Sequence, residues 1–146
     1  AARALVGALV SEATKIRWQL AAMAEGFNAT SNNACTAGLA PDFLDETYGA
    51  DKALVRAGLA HLFFTQKDPA TKGFPFRVEL PPESIVIHVR NDTEADVELL
   101  ARFFEKHGEA EEIAWETRID ADFVQRDGEW LVLRTEHETL SGRLLR

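Results

Sequence analysis

The hydrophobic positions in the first part of the chain repeat with a helical period. Over residues 2–27 apolar side chains recur at steps of three and four, so they share one side of a helix: Leu5, Leu9, Ala13, Ile16, Leu20, Met23 and Phe27. Trp18 points away from that side, which favours packing against another part of the protein, or a partner, over a ligand contact. A second helix is predicted over residues 52–65, with Asp51 as its N-cap and with four buried side chains: Leu54, Val55, Leu59 and Leu62.

After Pro69 the period falls to two, which indicates strands. We predict them over residues 76–80, 84–90, 94–104, 112–125 and 129–140, with a polar loop over 106–111 and an earlier short strand over 42–45. Helices followed by a strand meander are typical of an α+β fold. The pattern therefore predicts N-terminal helices packed on one side of a strongly bent antiparallel sheet.

The last turn decides which side chains share a face of the final two strands. We expect a three-residue loop with Gly128 in the left-handed conformation, because it pairs Phe123 with Leu131 and Ala121 with Leu133. The inner face then also carries Ile113, Trp115, Thr117, Ile119, Thr135, His137 and Thr139. The outer face is charged, with Asp120 opposite Arg134 and Arg118 opposite Glu136, beside Glu116, Asp122 and Glu138.

The inner face is apolar near the turn and polar farther from it. Polar groups on a buried face need partners and commonly line a cavity. We therefore expect a ligand pocket between the first helix and the sheet, lined by Phe43, Tyr48, Trp115, Thr117, Thr135 and His137. The alternative is that the polar residues reach solvent at the end of the sheet.

Length and charge exclude several classes of protein. A chain of 146 residues is expected to form one domain over 1–146. Sixteen basic and 24 acidic residues give a net charge of −8, which argues against a nucleic-acid partner. No apolar run approaches the roughly 20 residues of a membrane span. Cys35 is the only cysteine, and the four histidines lack metal-site spacing, so we expect no disulfide, metal or cofactor.

Three stretches resemble the nuclear transport factor 2-like (NTF2-like) superfamily, which includes SnoaL-like proteins and has a cystatin-like fold. The closing hairpin of the superfamily resembles residues 123–132 (FVQRDGEWLV). Its short strand and the start of the following helix resemble residues 42–54 (DFLDETYGADKAL), and a turn of its strand meander resembles residues 91–95 (NDTEA). The resemblance implies a cone in which a bent sheet wraps a long helix and leaves a cavity. It also implies a homodimer through the outer sheet face and an uncharacterised bacterial member. Because such members are often exported, the resemblance implies an exported or periplasmic protein, with the cytoplasm as the alternative.

The superfamily contains several kinds of enzyme, so the resemblance leaves function open. Asp45 lies where a ketosteroid isomerase-like base would stand, and His137 could serve a dehydratase-like site with Asp45 as a distant partner. The tyrosines of both sites have no match, since Tyr48 is the only tyrosine, and the Asp–Arg pair that an epoxide hydrolase-like site needs would lie on the outer face. Our first hypothesis is a module that binds a small, mainly apolar molecule. The others are an acid–base enzyme using His137 or Asp45, and a dimeric accessory domain with contacts at Trp18 and the charged sheet face.

Overall fold

The computed structural model describes residues 10–144 of the chain. It contains three α-helices, one short 3-10 helix and seven strands over these residues. In chain order they are α1 (Glu12–Asn28), α2 (Asn32–Thr36), β1 (Leu39–Asp45), β2 (Ala50–Asp51), α3 (Lys52–Thr65), β3 (Phe76–Glu79), the 3-10 helix (Pro82–Ser84), β4 (Val86–Val89), β5 (Glu94–His107), β6 (Ala110–Arg126) and β7 (Glu129–Gly142). No helix over these residues has both the length and the apolar character needed to cross a membrane.

The seven strands form one sheet in the order β2-β1-β7-β6-β5-β3, with β4 also paired to β5. The predicted α+β architecture of helices on a large sheet is confirmed. The sheet is mixed, however, because β1 pairs with β7 in parallel while all other pairs over the described residues are antiparallel. Strands joined by short turns are antiparallel, but β1 and β7 are far apart in sequence and are free to pair either way.

The two long helices lie within the predicted ranges, but α1 begins at Glu12, whereas a continuous helix was predicted from residue 2. The Ser11 side chain caps it by accepting a hydrogen bond from the backbone N–H of Thr14. In α1 the side chains of Ile16, Leu20 and Phe27 are buried, whereas Trp18, predicted to point away from that side, is 56% exposed. The predicted start of this helix, with Leu5 and Leu9, lies outside the described residues. Helix α3 has the predicted bounds, and the Asp51 side chain accepts a hydrogen bond from the backbone N–H of residue 54.

The burial predicted for α3 is wrong at one position. Leu62 is buried, and Val55 and Leu59 are partly buried, but Leu54 is 56% exposed. Each residue turns the helix by about 100°, so Leu54 is rotated away from the side that Val55, Leu59 and Leu62 present to the sheet.

Helix α1 is joined at its first turn to the hairpin between β6 and β7. The Glu12 carboxylate accepts hydrogen bonds from Trp130 Nε1 at 2.6 Å and from Gln125 Nε2 at 2.8 Å. The bond from the indole is the main cause that holds the pKa of Glu12 below its usual range. These hydrogen bonds hold the N-terminal end of α1 against the turn between β6 and β7.

The predicted register of the final hairpin is wrong near its turn. Asp127 and Gly128 form a two-residue turn in which both have positive φ, 51° and 77°, so Phe123 pairs with Val132 and not with Leu131. A turn with positive φ at both central positions matches the twist of the strands and needs no third loop residue.

A β-bulge restores the predicted faces farther along the strand. The register shifts by one between Val132 and Arg134, so Leu133 is an extra residue and is not paired with Ala121. Beyond the bulge, Thr135 pairs with Ala121 and His137 with Ile119. Residues 135, 137 and 139 therefore share the inner face, as predicted, although the reasoning that placed them there assumed a different turn.

The same bulge changes the predicted pairs on the outer face. Arg134 lies opposite Asp122 instead of Asp120, and Asp120 lies opposite Glu136. Arg118 lies opposite Glu138 instead of residue 136. The face is charged, as predicted, but it places acidic residues directly opposite one another.

The β5–β6 hairpin is longer than predicted. The polar loop expected over residues 106–111 is a two-residue turn at Gly108 and Glu109, and both strands continue to it. A register shift makes Ala114 an extra, buried residue of β6. Ile113, expected on the inner face, is 49% exposed because this shift reverses the alternation at that point.

Candidate functional site

A cavity of about 370 Å³ lies between the helices and the inner face of the sheet. Its walls come from α1, α3 and strands β1, β3, β5, β6 and β7, and most of its lining side chains are aliphatic or aromatic. Those from α1 and α3 are Leu20, Met23, Ala24, Phe27, Val55, Leu59 and Leu62. Among the described lining residues, the polar side chains are Asp45, Thr135 and His137, with the thiol of Cys35. Burial raises the pKa of that thiol to about 11, so it is uncharged at neutral pH.

Asp45 is the buried carboxylate of this cavity, and it lies at the end of β1 with 3% of its surface exposed. Because β1 runs parallel to β7, Asp45 is in register with Thr135. The Thr135 hydroxyl donates a hydrogen bond to Asp45 Oδ2 at 2.5 Å, and the backbone N–H of Tyr48 donates one to Oδ1 at 2.9 Å. The burial of this carboxylate is thus compensated by donors from its own turn and from β7.

His137 lies beside this carboxylate on the same strand as Thr135. Its Nε2 is 2.6 Å from Asp45 Oδ2, and a carboxylate at that distance favours the tautomer with the proton on Nε2. In that tautomer the free electron pair of the imidazole is on Nδ1. Nδ1 is buried and makes no hydrogen bond with any described residue. The pair therefore has the arrangement of a base that a carboxylate orients through its other nitrogen.

Neighbouring rings and a backbone bond hold the imidazole in place. The indole of Trp115 stacks on His137, with centroids 6.2 Å apart, and on Phe103, with centroids 5.0 Å apart. The ring of Tyr48 lies 5.6 Å from the imidazole, and the backbone N–H of His137 donates to Thr47 Oγ1 at 2.7 Å. Such packing fixes the orientation of a catalytic side chain before a ligand arrives.

The structure brings together most of the expected pocket residues. Phe43, Trp115, Thr135 and His137 line the cavity, and Asp45, expected to be distant from His137, is in contact with it. Two expected lining residues are not among them. Thr117 is fully buried and its hydroxyl donates to the carbonyl of Glu138 at 3.2 Å, and Tyr48 is 61% exposed. The helical period of α1 predicted that its lining residues belong to the core, and it did not identify them as pocket residues.

One group of potential metal ligands occurs over residues 10–144, at the tip of the β5–β6 hairpin. Oxygen and nitrogen atoms of Glu105, His107 and Glu112 lie within 4.8 Å of one another. His107, expected in a solvated loop, ends strand β5, and its Nε2 is 3.0 Å from Glu112 Oε1. The group lies outside the cavity, and two of its members are exposed. The contacts among its three side chains are sufficient to explain why they lie close together.

No protein-family model and no curated protein sequence matches this chain. Solved structures do match it. An NTF2-like protein with a cystatin-like fold from Novosphingobium aromaticivorans superposes with a TM-score of 0.73 at 15% identity, over 98% of this chain and 94% of that chain. A provisionally named scytalone dehydratase from the same species gives 0.72 at 17% identity, over 89% and 85% of the two chains. A provisionally named aromatic ring hydroxylase, also from that species, gives 0.68 at 11% identity, over 88% of each chain.

The different names of these neighbours show that the fold does not determine the activity. At these identities the likeness is one of architecture: helices packed against a large sheet that does not close. The resemblance seen in the closing hairpin and in the strand before α3 implied this architecture. The chain therefore has the NTF2-like, cystatin-like fold.

Proposed function

We propose that this protein is an acid–base catalyst that acts on a small, mainly apolar molecule bound in the cavity. One observation carries the proposal: a buried Asp45–His137 pair stands in the wall of an otherwise apolar cavity, and the second imidazole nitrogen has no protein partner. A buried carboxylate paired with a histidine in a cleft is a common arrangement for proton transfer.

In the proposed reaction, Nδ1 of His137 takes a proton from the bound molecule. The resulting imidazolium stays paired with the Asp45 carboxylate, which Thr135 and Tyr48 hold in position through their hydrogen bonds. Nδ1 then returns the proton. If it goes to another carbon of the same molecule, the reaction is an isomerisation; if it goes to a leaving hydroxyl group, water departs and the reaction is a dehydration.

The test is a screen of cyclic enones, dienol precursors and epoxides with the unmodified protein and with His137→Ala and Asp45→Asn. His88→Ala is the matched control, because His88 is exposed on β4 and is not among the described lining residues of the cavity. We expect kcat to fall by about 10²–10⁴-fold in His137→Ala and to stay unchanged in the control. Turnover that survives in both cavity variants would refute the assignment of the pair.

A second candidate is binding without turnover. It is favoured by the absence, among the described lining residues, of a free donor that could stabilise the negative charge left when a proton departs. If no compound in the screen is converted but ligands are retained, and Trp115→Ala or Thr135→Val weakens that retention, the protein is a binding module.

We also propose that the protein forms a homodimer through the outer sheet face, as the fold resemblance implies. The exposed Ile113 and Leu140 support a contact there. Sedimentation velocity of Arg134→Glu tests it. We expect a lower sedimentation coefficient than for the unmodified dimer, and an unchanged value would exclude this face.

A further inference from the structure

Helix α3 exposes apolar residues on the side that faces away from the cavity. Phe64 is 80% exposed and Leu54 is 56% exposed, and Ala57, Gly58 and His61 are exposed beside them. At about 100° per residue these five positions fall within roughly a third of the circumference of the helix, and no lysine, arginine or carboxylate of the helix lies among them. A helix that is apolar on nearly every side is normally buried on every side, so this surface indicates a contact with another molecule.

The flanks of this side carry positive charge. Residues 52–67 include three basic residues and no acidic one, although the chain has 24 acidic residues. The Lys52 ammonium donates to the carbonyl oxygen of Leu39 at 3.0 Å, and the Arg56 guanidinium donates to Thr36 Oγ1 at 2.8 Å and to Asn33 Oδ1 at 3.0 Å. These acceptors are neutral, and over residues 10–144 no carboxylate forms an ion pair with either basic side chain.

The acidic residues at the two ends of this stretch are engaged by backbone groups. Asp51 caps α3 at its first turn, and Asp68 is 3% exposed and accepts a hydrogen bond from the backbone N–H of Ala70 at 3.0 Å. Lys67, which follows the helix, is exposed. Residues 51–68 are therefore net positive in a chain whose net charge is −8. A helix is about 10–12 Å across, close to one Debye length at 0.1 M salt, so these charges act on a surface that lies against the exposed side of α3.

The two large apolar side chains stand near the two ends of the helix. Leu54 and Phe64 are ten positions apart, which is about 15 Å along the axis, and the small residues Ala57 and Gly58 lie between them. This spacing lets the helix axis lie parallel to a flat surface with both side chains inserted. The arrangement is that of a helix in the plane of a membrane interface, with apolar residues toward the acyl chains and basic residues toward the headgroups.

From the exposed apolar side and the unpaired basic charges we propose that α3 docks this protein on an anionic lipid surface, with Leu54 and Phe64 as its apolar anchors. The helix has 14 residues, so it lies on the bilayer and does not span it. A second copy of the chain would also cover the apolar side, but it would bring two sets of like charges together, and the charge therefore favours lipid. The proposal is independent of the reaction proposed for the cavity, because neither anchor is among the described lining residues.

The test is co-sedimentation of the full chain with vesicles of phosphatidylcholine, with and without phosphatidylglycerol, at neutral pH. We expect binding to the vesicles that contain phosphatidylglycerol, and we expect it to weaken as sodium chloride is added. Leu54→Ser combined with Phe64→Ser should bind at least about tenfold more weakly, because burial of one large apolar side chain alone is worth about a factor of ten. Lys67→Gln should bind about fivefold more weakly.

Trp18→Ser is the matched control, because Trp18 is an exposed aromatic residue on the other long helix. It should bind the vesicles as the unmodified protein does. All of the replaced side chains are exposed, and far-UV circular dichroism of each variant checks that the fold is kept. Lys67→Gln leaves the helix itself unchanged and gives a second readout of the same surface.

Several results would overturn the proposal. They are no binding to the anionic vesicles, equal binding to vesicles of phosphatidylcholine alone, undiminished binding of the double variant, and a loss in Trp18→Ser as large as in the double variant. Sedimentation velocity without vesicles tests the other occupant. If the double variant has a lower sedimentation coefficient than the unmodified protein and neither binds vesicles, the exposed side of α3 is a contact between copies of the chain and the lipid proposal is wrong.

Discussion

Replacing Asp45 by alanine removes the carboxylate on which one side of the cavity depends. Three groups contact it: the Thr135 hydroxyl at 2.5 Å, the Tyr48 backbone N–H at 2.9 Å and His137 Nε2 at 2.6 Å. Truncation leaves these groups without their partner in a region where Asp45 itself is 3% exposed. We expect the variant to be substantially less stable because buried donors lose their acceptor.

The size of the effect follows from these contacts. A hydrogen bond to a charged group contributes about 1.5–3 kcal/mol, so the two hydrogen bonds from Thr135 and Tyr48 correspond to about 3–6 kcal/mol. Removing the charge also removes the cost of burying it, which is several kcal/mol. The free energy of unfolding should therefore fall by about 3–5 kcal/mol, the usual loss when one member of a buried pair is deleted.

Urea unfolding followed by tryptophan fluorescence measures this loss, and Asp42→Ala is the matched control. Asp42 lies on the same strand and has its own ion pair with Arg126 at 2.6 Å, but its side chain is 59% exposed. Water replaces the lost partner at such a site, so the control should lose much less stability. If the two variants were equally stable, the network around Asp45 would make no net contribution and the reasoning would be wrong.

Three other changes test separate parts of the structure. Burial and the facing Asp96 raise the pKa of Asp122, so the folded state binds that proton more tightly and stability from this group increases as pH falls. Asp122→Asn should stabilise the fold at neutral pH by about 0.2–1 kcal/mol, and the gain in Tm should disappear below about pH 3.8, the ordinary value for the carboxyl. Gly142→Ala should destabilise by at least about 1–3 kcal/mol in urea unfolding, because φ is +68° and a Cβ would lie 1.9 Å from the carbonyl oxygen of Ala114; wild-type stability would contradict this. Cys35, whose pKa burial raises to about 11, should react with a thiol reagent at neutral pH only after denaturant is added, and rapid labelling of the native protein would contradict its burial.

The helices could be predicted from the sequence because their signals are local. Ile16, Leu20 and Phe27 repeat at helical spacing and are buried, and the bounds of α3 match the prediction. The prediction that Leu54 is buried is wrong for a simple reason. Helix α3 is apolar on nearly every side, so periodicity alone could not identify the side that faces the sheet.

The final hairpin shows a limit of reasoning from pairing. Phe123 could be matched to an apolar partner in more than one register, and a bulge at Leu133 is not visible as a sequence pattern. The prediction assigned the extra residue to the turn, whereas the structure has it seven residues beyond Arg126 in the strand. Whether the extra residue lies in the turn or at Leu133, it precedes Thr135 and reverses the alternation of side chains once. Thr135 and His137 therefore face inward in both cases.

The contact between Asp45 and His137 could not be predicted from the residues themselves. It depends on the parallel pairing of β1 with β7, and 90 residues separate Asp45 from the Thr135 with which it is in register. No local signal reports which edge of a meander an earlier strand will join. The tetrad of Asp45, Tyr48, Thr135 and His137 therefore became visible only with the sheet order.

The bond between Glu12 and Trp130 has a consequence for biosynthesis. These two residues are 118 positions apart, so the ribosome must synthesise the chain as far as Trp130 before helix α1 can dock at its final position. Helix α1 is able to form early from local interactions and to contact α2, β3 and β4, but its apolar side is fully covered only after the last two strands emerge. Nascent chains that stop before residue 130 should therefore expose this surface to chaperones.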